Sequence, residues 1–181
     1  MGVYEPPKQH VALFASSKNA KNGRSIDDED SVARALARLV AIERPQLQFL
    51  HVNLESLSYA NEIRLLRRTM LFVALFGSGL HNCRFLPAGA VVIQIYGALK
   101  GESMPCFYYE ICHVGVGLGF ASYVPRGWDA KLYKSEDAVK ARIDIPALLR
   151  VVNGSLNGES AGLWRDFLGE AGHAGHCKQY A

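Results

Sequence analysis

Three groups of residues in this 181-residue chain are of types that can handle an anion. The first is Gly77-Ser78-Gly79, followed by Leu80 and His81. Two glycines around one serine let the backbone turn sharply, and the amides of Ser78, Gly79, Leu80 and His81 at a helix start can then cradle a phosphate. The second group is Lys18 and Arg24, in the polar loop S-S-K-N-A-K-N-G-R-S of residues 16–25. A guanidinium there can fork onto a diphosphate. The third is His81-Asn82, where a helix N-terminus would meet a sugar phosphate. Each group also has a plainer account: a strand-to-helix turn without a ligand, solvated loop charges, and a partly exposed histidine without a task. Glu29 is either a ligand contact or, in the commoner role, an acid that complements a helix dipole.

Other chemistries fit less well. The glycine turn is not a dinucleotide fingerprint, because Asn82 occupies the third glycine position. It is not a nucleophile elbow either, since that motif needs glycine where Phe76 stands. The glycines of 115–120 look superficially like a kinase phosphate loop, but no lysine strand or acidic catalytic loop follows, so they read as a turn. Cys83, Cys106, Cys112 and Cys177 show no paired metal spacing, and no metal site is expected. Cys106 and Cys112, six apart, are of a spacing that can pair in a lumenal protein, or can remain two packed thiols.

The elements that must position these residues are legible as alternating runs. Residues 70–76 form an uninterrupted apolar stretch, the pattern of a strand buried on both faces of a parallel sheet, with a buried helix as the alternative that periodicity alone leaves open. Residues 80–86 suffice for a short helix, and residues 90–96 supply another β-branched strand. Upstream, residues 10–15 and 47–52 read as strands. Between them four acids precede an apolar stripe at Val32, Ala35, Leu36, Leu39 and Val40, which is an amphipathic helix. Ser58 is placed to cap a second helix and Asp144 a later one. Residues 107–114 suggest a helix, 118–124 a last strand, and 126–142 a polar loop. Strands alternating with helices predict a doubly wound, mainly parallel Rossmann-like α/β sheet with the carboxyl ends of its strands on one edge. The expected division is an extension over 1–9, one α/β domain over 10–155 and a loosely packed tail over 156–181.

F-G-S-G-L-H-N followed by F-L-P-A-G-A-V-V-I-Q-I, residues 76–95, resembles the signature of the glycosyltransferase 61 family. That signature reads H-G-A-G-L-[T/A]-[N/H], then F-x-P-x-[G/A]-x-x-V-[I/V]-[E/Q]-[I/V]. Gly77, Gly79, Leu80, Asn82, Phe85, Pro87, Gly89, Val92 and Gln94 fit it. Phe76 stands where the family has its histidine, and His81 where Thr or Ala is usual. A ring that can hydrogen-bond has become one that cannot, which bears on turnover more than on fold. Lys18 and the run Arg24 to Glu29 follow more loosely the family's S-R and R-x-[I/L]-x-N-E, with Asp28 in place of Asn. The resemblance implies the C-terminal, nucleotide-sugar-binding lobe of a two-lobed GT-B transferase, inverting and metal-independent. Its donor would be a UDP-sugar such as UDP-GlcNAc or UDP-xylose, its acceptor a glycan or glycoprotein, and it would need no cofactor besides the donor. The N-terminal lobe, general base and acceptor contacts would lie elsewhere, so no catalytic residue is assigned. The alternative is a non-catalytic remnant that binds a nucleotide weakly or serves as a protein-interaction module.

Composition agrees with a globular domain: 49% hydrophobic and 20% charged residues. A net charge of +3 with no basic stripe does not point to nucleic acid. The N-terminus lacks the apolar core of a signal peptide, and no run approaches the ~20 apolar residues of a membrane span. The resembled family points instead to the ER or Golgi lumen. Asn153-Gly154-Ser155 is a glycosylation sequon that matters only there.

Overall fold

The computed structural model describes residues 9–18, 25–95, 112, 116–123 and 140–158. Its centre is a five-stranded parallel sheet. In chain order the strands are β1 (Val11–Ala15), β3 (Gln48–Val52), β4 (Thr69–Leu75), β5 (Val91–Ile95) and β6 (Gly119–Tyr123), arranged β3-β1-β4-β5-β6. Every neighbouring pair is parallel. The four strands expected at 10–15, 47–52, 70–76 and 90–96 are therefore present within a residue or so of each end, and the fifth lies within 118–124. A separate parallel pair joins β2 (Ser25–Ile26) to β7 (Lys140–Ala141). That pairing corrects the reading of 126–142 as loop throughout: two residues beside a partner strand carry no periodicity of their own.

The central strands are buried on both faces, as their unbroken apolar runs require. Leu13, Phe72, Val92 and Phe120 point to one side, with Leu66 and Leu80. Ala12, Phe14, Val73, Ile93 and Ala121 point to the other, with Leu36 and Leu148. Side chains such as Phe14, Phe72 and Leu71, with at most 1% exposure, stabilise the fold by about 1.5–3 kcal/mol each.

Helices α1 (Glu29–Glu43) and α3 (Ile145–Leu156) cover the second face. The first buries Val32, Ala33, Leu36 and Val40, with Ala33 in the place expected for Ala35. Helix α2 (Tyr59–Leu66) and the 3-10 helix Ser78–Phe85 lie over the first face. The caps fall where the sequence puts them: Ser58 accepts from the Asn61 amide and Asp144 from the Ala147 amide. Gly117 turns the chain into β6 at φ +75, and a Cβ at Gly119 would meet Val91 Cγ2 at 3.1 Å. Part of the glycine run over 115–120 thus serves strand entry and close packing.

The sequon lies inside α3, where Gly154 and Ser155 are buried and the Ser155 hydroxyl donates to the Val151 carbonyl at 2.8 Å. The helix expected at 107–114, apart from Cys112, and the tail beyond 158 lie outside the described residues. No helix among the described residues is long and apolar enough to cross a membrane.

Candidate functional site

In the order β3-β1-β4 the chain crosses from one side of β1 to the other, so the crossovers part above β1 and β4. Crevices of this kind, outside the carboxyl ends of the strands, are where ligands bind in open α/β sheets. The two segments that leave these strands are Ser16–Lys18 and Phe76–Gly79. They are side by side because Ala15 pairs in register with Ala74.

The β1 side is built on Glu29, the first residue of α1 and only 3% exposed. One carboxylate oxygen accepts from the Ser16 hydroxyl at 2.5 Å and from His51 Nε2 at 2.8 Å. The other accepts from the Ser17 amide at 2.9 Å and from the Ser17 hydroxyl. The Ser17 oxygen in turn accepts from the Ile26 amide at 3.0 Å. One buried carboxylate thereby fixes both flanks of the segment 19–24. Burial pushes its pKa up, but the bonds from Ser16, Ser17 and His51 outweigh that and hold the carboxyl below the usual range. The His51 ring stacks on Phe14, with centroids 4.9 Å apart, which sets its plane toward Glu29.

Asp28 explains how Glu29 turns inward. It caps α1 with φ 48, in the left-handed region that Asp and Asn tolerate best among residues with a side chain. Asp at this position therefore keeps the backbone geometry available to the family's Asn. The sequence reading offered Glu29 as a ligand contact or a dipole acid. Its four bonds within the chain make it an internal clamp, and Ser16 and His51 are members that reasoning from motifs did not single out. Their signal was faint: a serine pair and a histidine at two strand ends.

Lys18 reaches away from this clamp. Its ammonium meets Asp30 at 2.6 Å at the surface, which raises the lysine pKa and lowers that of the aspartate. Asn53, after β3, donates to the Lys18 carbonyl at 3.4 Å and links a third strand end to the rim. Arg24 lies outside the described residues. Ser25, the next residue, is held in β2.

The β4 side differs from expectation in its details. Residues Ser78–Phe85 form a 3-10 helix capped by Gly77, whose backbone is extended. The Leu80 amide bonds to the Gly77 carbonyl at 3.0 Å. In this geometry the amides of Ser78 and Gly79 are the two that precede the internal ladder. The expected cradle of four amides is therefore narrowed: Leu80 is committed to the turn, and its side chain is fully buried. Gly79 is exposed, and a Cβ built on it meets nothing within 4 Å. Among the described residues, no neighbour stands against that position. His81 is half-buried, and its carbonyl accepts from Arg84.

Two further contacts fix this turn. Asn82 donates to Glu62 of α2 at 2.6 Å, and burial pushes the Glu62 carboxyl up, partly offset by that bond. Cys83 forms a disulfide with Cys112, with Cα atoms 5.8 Å apart. This replaces the pairing of Cys106 with Cys112 considered above, because the 3-10 helix brings a residue distant in sequence against Cys112 on the same sheet face. Phe76, in the family's histidine position, is 6% exposed and packed in the core. Among the described residues, no three His, Cys, Asp or Glu side chains are grouped to hold a metal.

Fold and site together define a parallel, Rossmann-like α/β unit whose glycine turn stands at the carboxyl edge. Residues 4–93, about half the chain, match the model of the family Glycosyltransferase 61, and over that stretch this is a glycosyltransferase 61 sequence. The segment is 30% identical over 93 residues to the EGF domain-specific O-linked N-acetylglucosamine transferase of Drosophila melanogaster, covering 51% of this chain and 17% of that protein. It is 32% identical over 87 residues to Protein O-linked-mannose beta-1,4-N-acetylglucosaminyltransferase 2 of Xenopus laevis, covering 48% of this chain and 14% of that protein. The match thus spans less than a fifth of either relative. Among solved structures, a diflavin flavoprotein A3 from Nostoc sp. aligns over 84% of this chain and 98% of its own at TM-score 0.45 and 14% identity. That likeness carries no conclusion about function.

Proposed function

We propose that this chain is the nucleotide-sugar-binding lobe of a GT-B-type glycosyltransferase that uses a UDP-sugar donor, UDP-GlcNAc or UDP-xylose. The observation that carries the reading is the Ser78-Gly79 turn at the carboxyl edge, with two amides ahead of the 3-10 ladder and open space at the Gly79 Cβ position. A diphosphate oxygen seated there would be held by backbone N–H groups whose positions the Cys83 disulfide and the Asn82–Glu62 bond fix in advance. In the transfer step, charge develops on the leaving diphosphate, and donors already oriented toward it stabilise the transition state most. Arg24, the last residue of the segment 19–24 whose flanks Glu29 anchors, would meet the same diphosphate from the β1 side. The mechanism is inverting and metal-independent in this reading, with the acceptor and the general base supplied by a further lobe. Both relatives above carry N-acetylglucosamine transfer in their names, which favours UDP-GlcNAc over UDP-xylose. A disulfide between two fully buried cysteines suits an oxidising compartment, hence the ER or Golgi lumen.

One observation favours the second reading, a non-catalytic remnant. Phe76 fills with an apolar ring the position at which the family keeps histidine. Titration calorimetry of the chain with UDP, in the presence of a chelator, tests the donor site under either reading. Saturable binding below millimolar ligand is expected. No heat up to that concentration overturns the donor site and leaves an α/β domain with another task.

A further inference from the structure

The last rung of the sheet shared by all five strands runs Val52, Ala15, Ala74, Gln94, Ser122. All five residues fall on the face that carries the 3-10 helix, because they lie two positions beyond Leu50, Leu13, Phe72, Val92 and Phe120, which pack there. Three of the five are small, so the rung is low at its centre, next to the strand that leads into the glycine turn. Within it stands Gln94, with 0% exposure and, among the described residues, no hydrogen-bond partner for its side-chain amide nitrogen or carbonyl oxygen. The hydroxyl of Ser122, its register partner on β6, is also buried and has no hydrogen-bond partner among the described residues.

This is costly for a fold to keep. A buried carboxamide without partners keeps the full desolvation penalty of each unbonded group, which an apolar side chain of the same size avoids. Glu29 shows that the chain satisfies a buried polar side chain fully where the purpose is internal. Gln94 and Ser122 present a donor, an acceptor and a hydroxyl together at the carboxyl edge, one and two strands from the strand that leads into the turn.

We infer that Gln94 and Ser122 form the specificity end of the donor site and recognise a secondary amide, whose N–H and C=O complement a carboxamide. The inference rests on the donor-site reading above. Two parts of one donor carry that chemistry: the imide edge of a uracil base and the N-acetyl group of an amino sugar. Ser122 as a residue is half-buried at the end of β6, and it is the register partner of fully buried Gln94.

Calorimetry on the wild-type chain, Gln94→Leu and Ser122→Ala with pyrophosphate, UDP, UDP-glucose and UDP-GlcNAc tests this. If the base is recognised, Gln94→Leu weakens UDP about 10-fold, the worth of one net hydrogen bond, and leaves pyrophosphate unchanged. If the N-acetyl group is recognised, UDP is unchanged and the preference for UDP-GlcNAc over UDP-glucose falls about 10-fold. Ser122→Ala should act in the same direction with a smaller change. The Tm of Gln94→Leu should equal or exceed that of wild type, which separates lost recognition from lost folding. Wild-type binding of UDP with all four affinities unchanged in both variants overturns this inference alone, and means that the pair bonds to itself or to a buried water. Absence of UDP binding by wild type overturns the donor site and this inference with it.

Discussion

The two sides of the carboxyl edge handle buried polarity in opposite ways. On the β1 side Glu29 spends all its hydrogen-bonding capacity on Ser16, Ser17 and His51. On the β4–β5 side the Ser78 and Gly79 amides precede the 3-10 ladder, and the side chains of Gln94 and Ser122 have no hydrogen-bond partner among the described residues. On the first side Glu29 is a clamp: its carboxylate sets loop geometry and has nothing left for a ligand. The second is held from outside, by a disulfide and an Asn–Glu bond, and keeps its capacity unspent. A polar residue near a site is therefore assigned by what remains of its bonding, and proximity alone does not decide it.

Breaking the clamp should have the largest effect. Glu29→Ala leaves two serines and a histidine without their common acceptor, and should lower stability by about 3–5 kcal/mol in urea or guanidinium titrations. A loss below about 1 kcal/mol would remove the contrast drawn between the two sides. The support of the other side is next. Replacing Cys83 and Cys112 together by serine opens a loop of sequence separation 29 and should cost about 3.5 kcal/mol on the chain-entropy relation. The same loss should appear in the wild type on full reduction, and its absence would mean that the turn is held by packing alone.

Phe76→His follows. It restores the family's residue type but buries an imidazole in an apolar cluster, so a loss of about 2 kcal/mol and no gain in UDP affinity are expected. A gain in affinity would show that the ring reaches the ligand and that the site decayed at this residue.

Acid sharpens the comparison further. The folded-state pKa of Glu29 lies below the ordinary 4.5, so its contribution is complete above that value and is lost as pH falls through the lowered one. Wild type should thus lose more stability on acidification than Glu29→Gln, as read from urea midpoints at pH 3 and 6. Equal slopes would mean that Glu29 is not ionised in the fold. Lys18→Ala should have the smallest effect, leaving Tm unchanged, because the pair with Asp30 is exposed and screened.

Much of this architecture is legible in the sequence. Apolar runs marked β1, β4 and β5 as strands buried within the sheet, and the alternation of strands with helices predicted parallel order. The caps at Ser58 and Asp144 were legible because capping is local chemistry. The Cys83–Cys112 bridge was hidden, since it depends on where a 3-10 helix lands on the sheet. The clamp was hidden for the same reason: Ser16, Glu29 and His51 meet only after β1, α1 and β3 have packed. Gly79 misled in an instructive way. Its type suggested a backbone demand, yet its φ is ordinary and its Cβ position is open.

That last point supplies the most direct test of the central claim, that the Ser78-Gly79 turn seats the donor diphosphate. If glycine at 79 serves a ligand and the fold makes no use of it, Gly79→Ala should preserve Tm or raise it slightly, since alanine limits the unfolded chain. UDP affinity measured by calorimetry on the same preparation should fall at least 10-fold, because the added methyl group enters the phosphate position. A variant as stable as wild type that binds UDP equally well would contradict the claim and move the donor away from this turn.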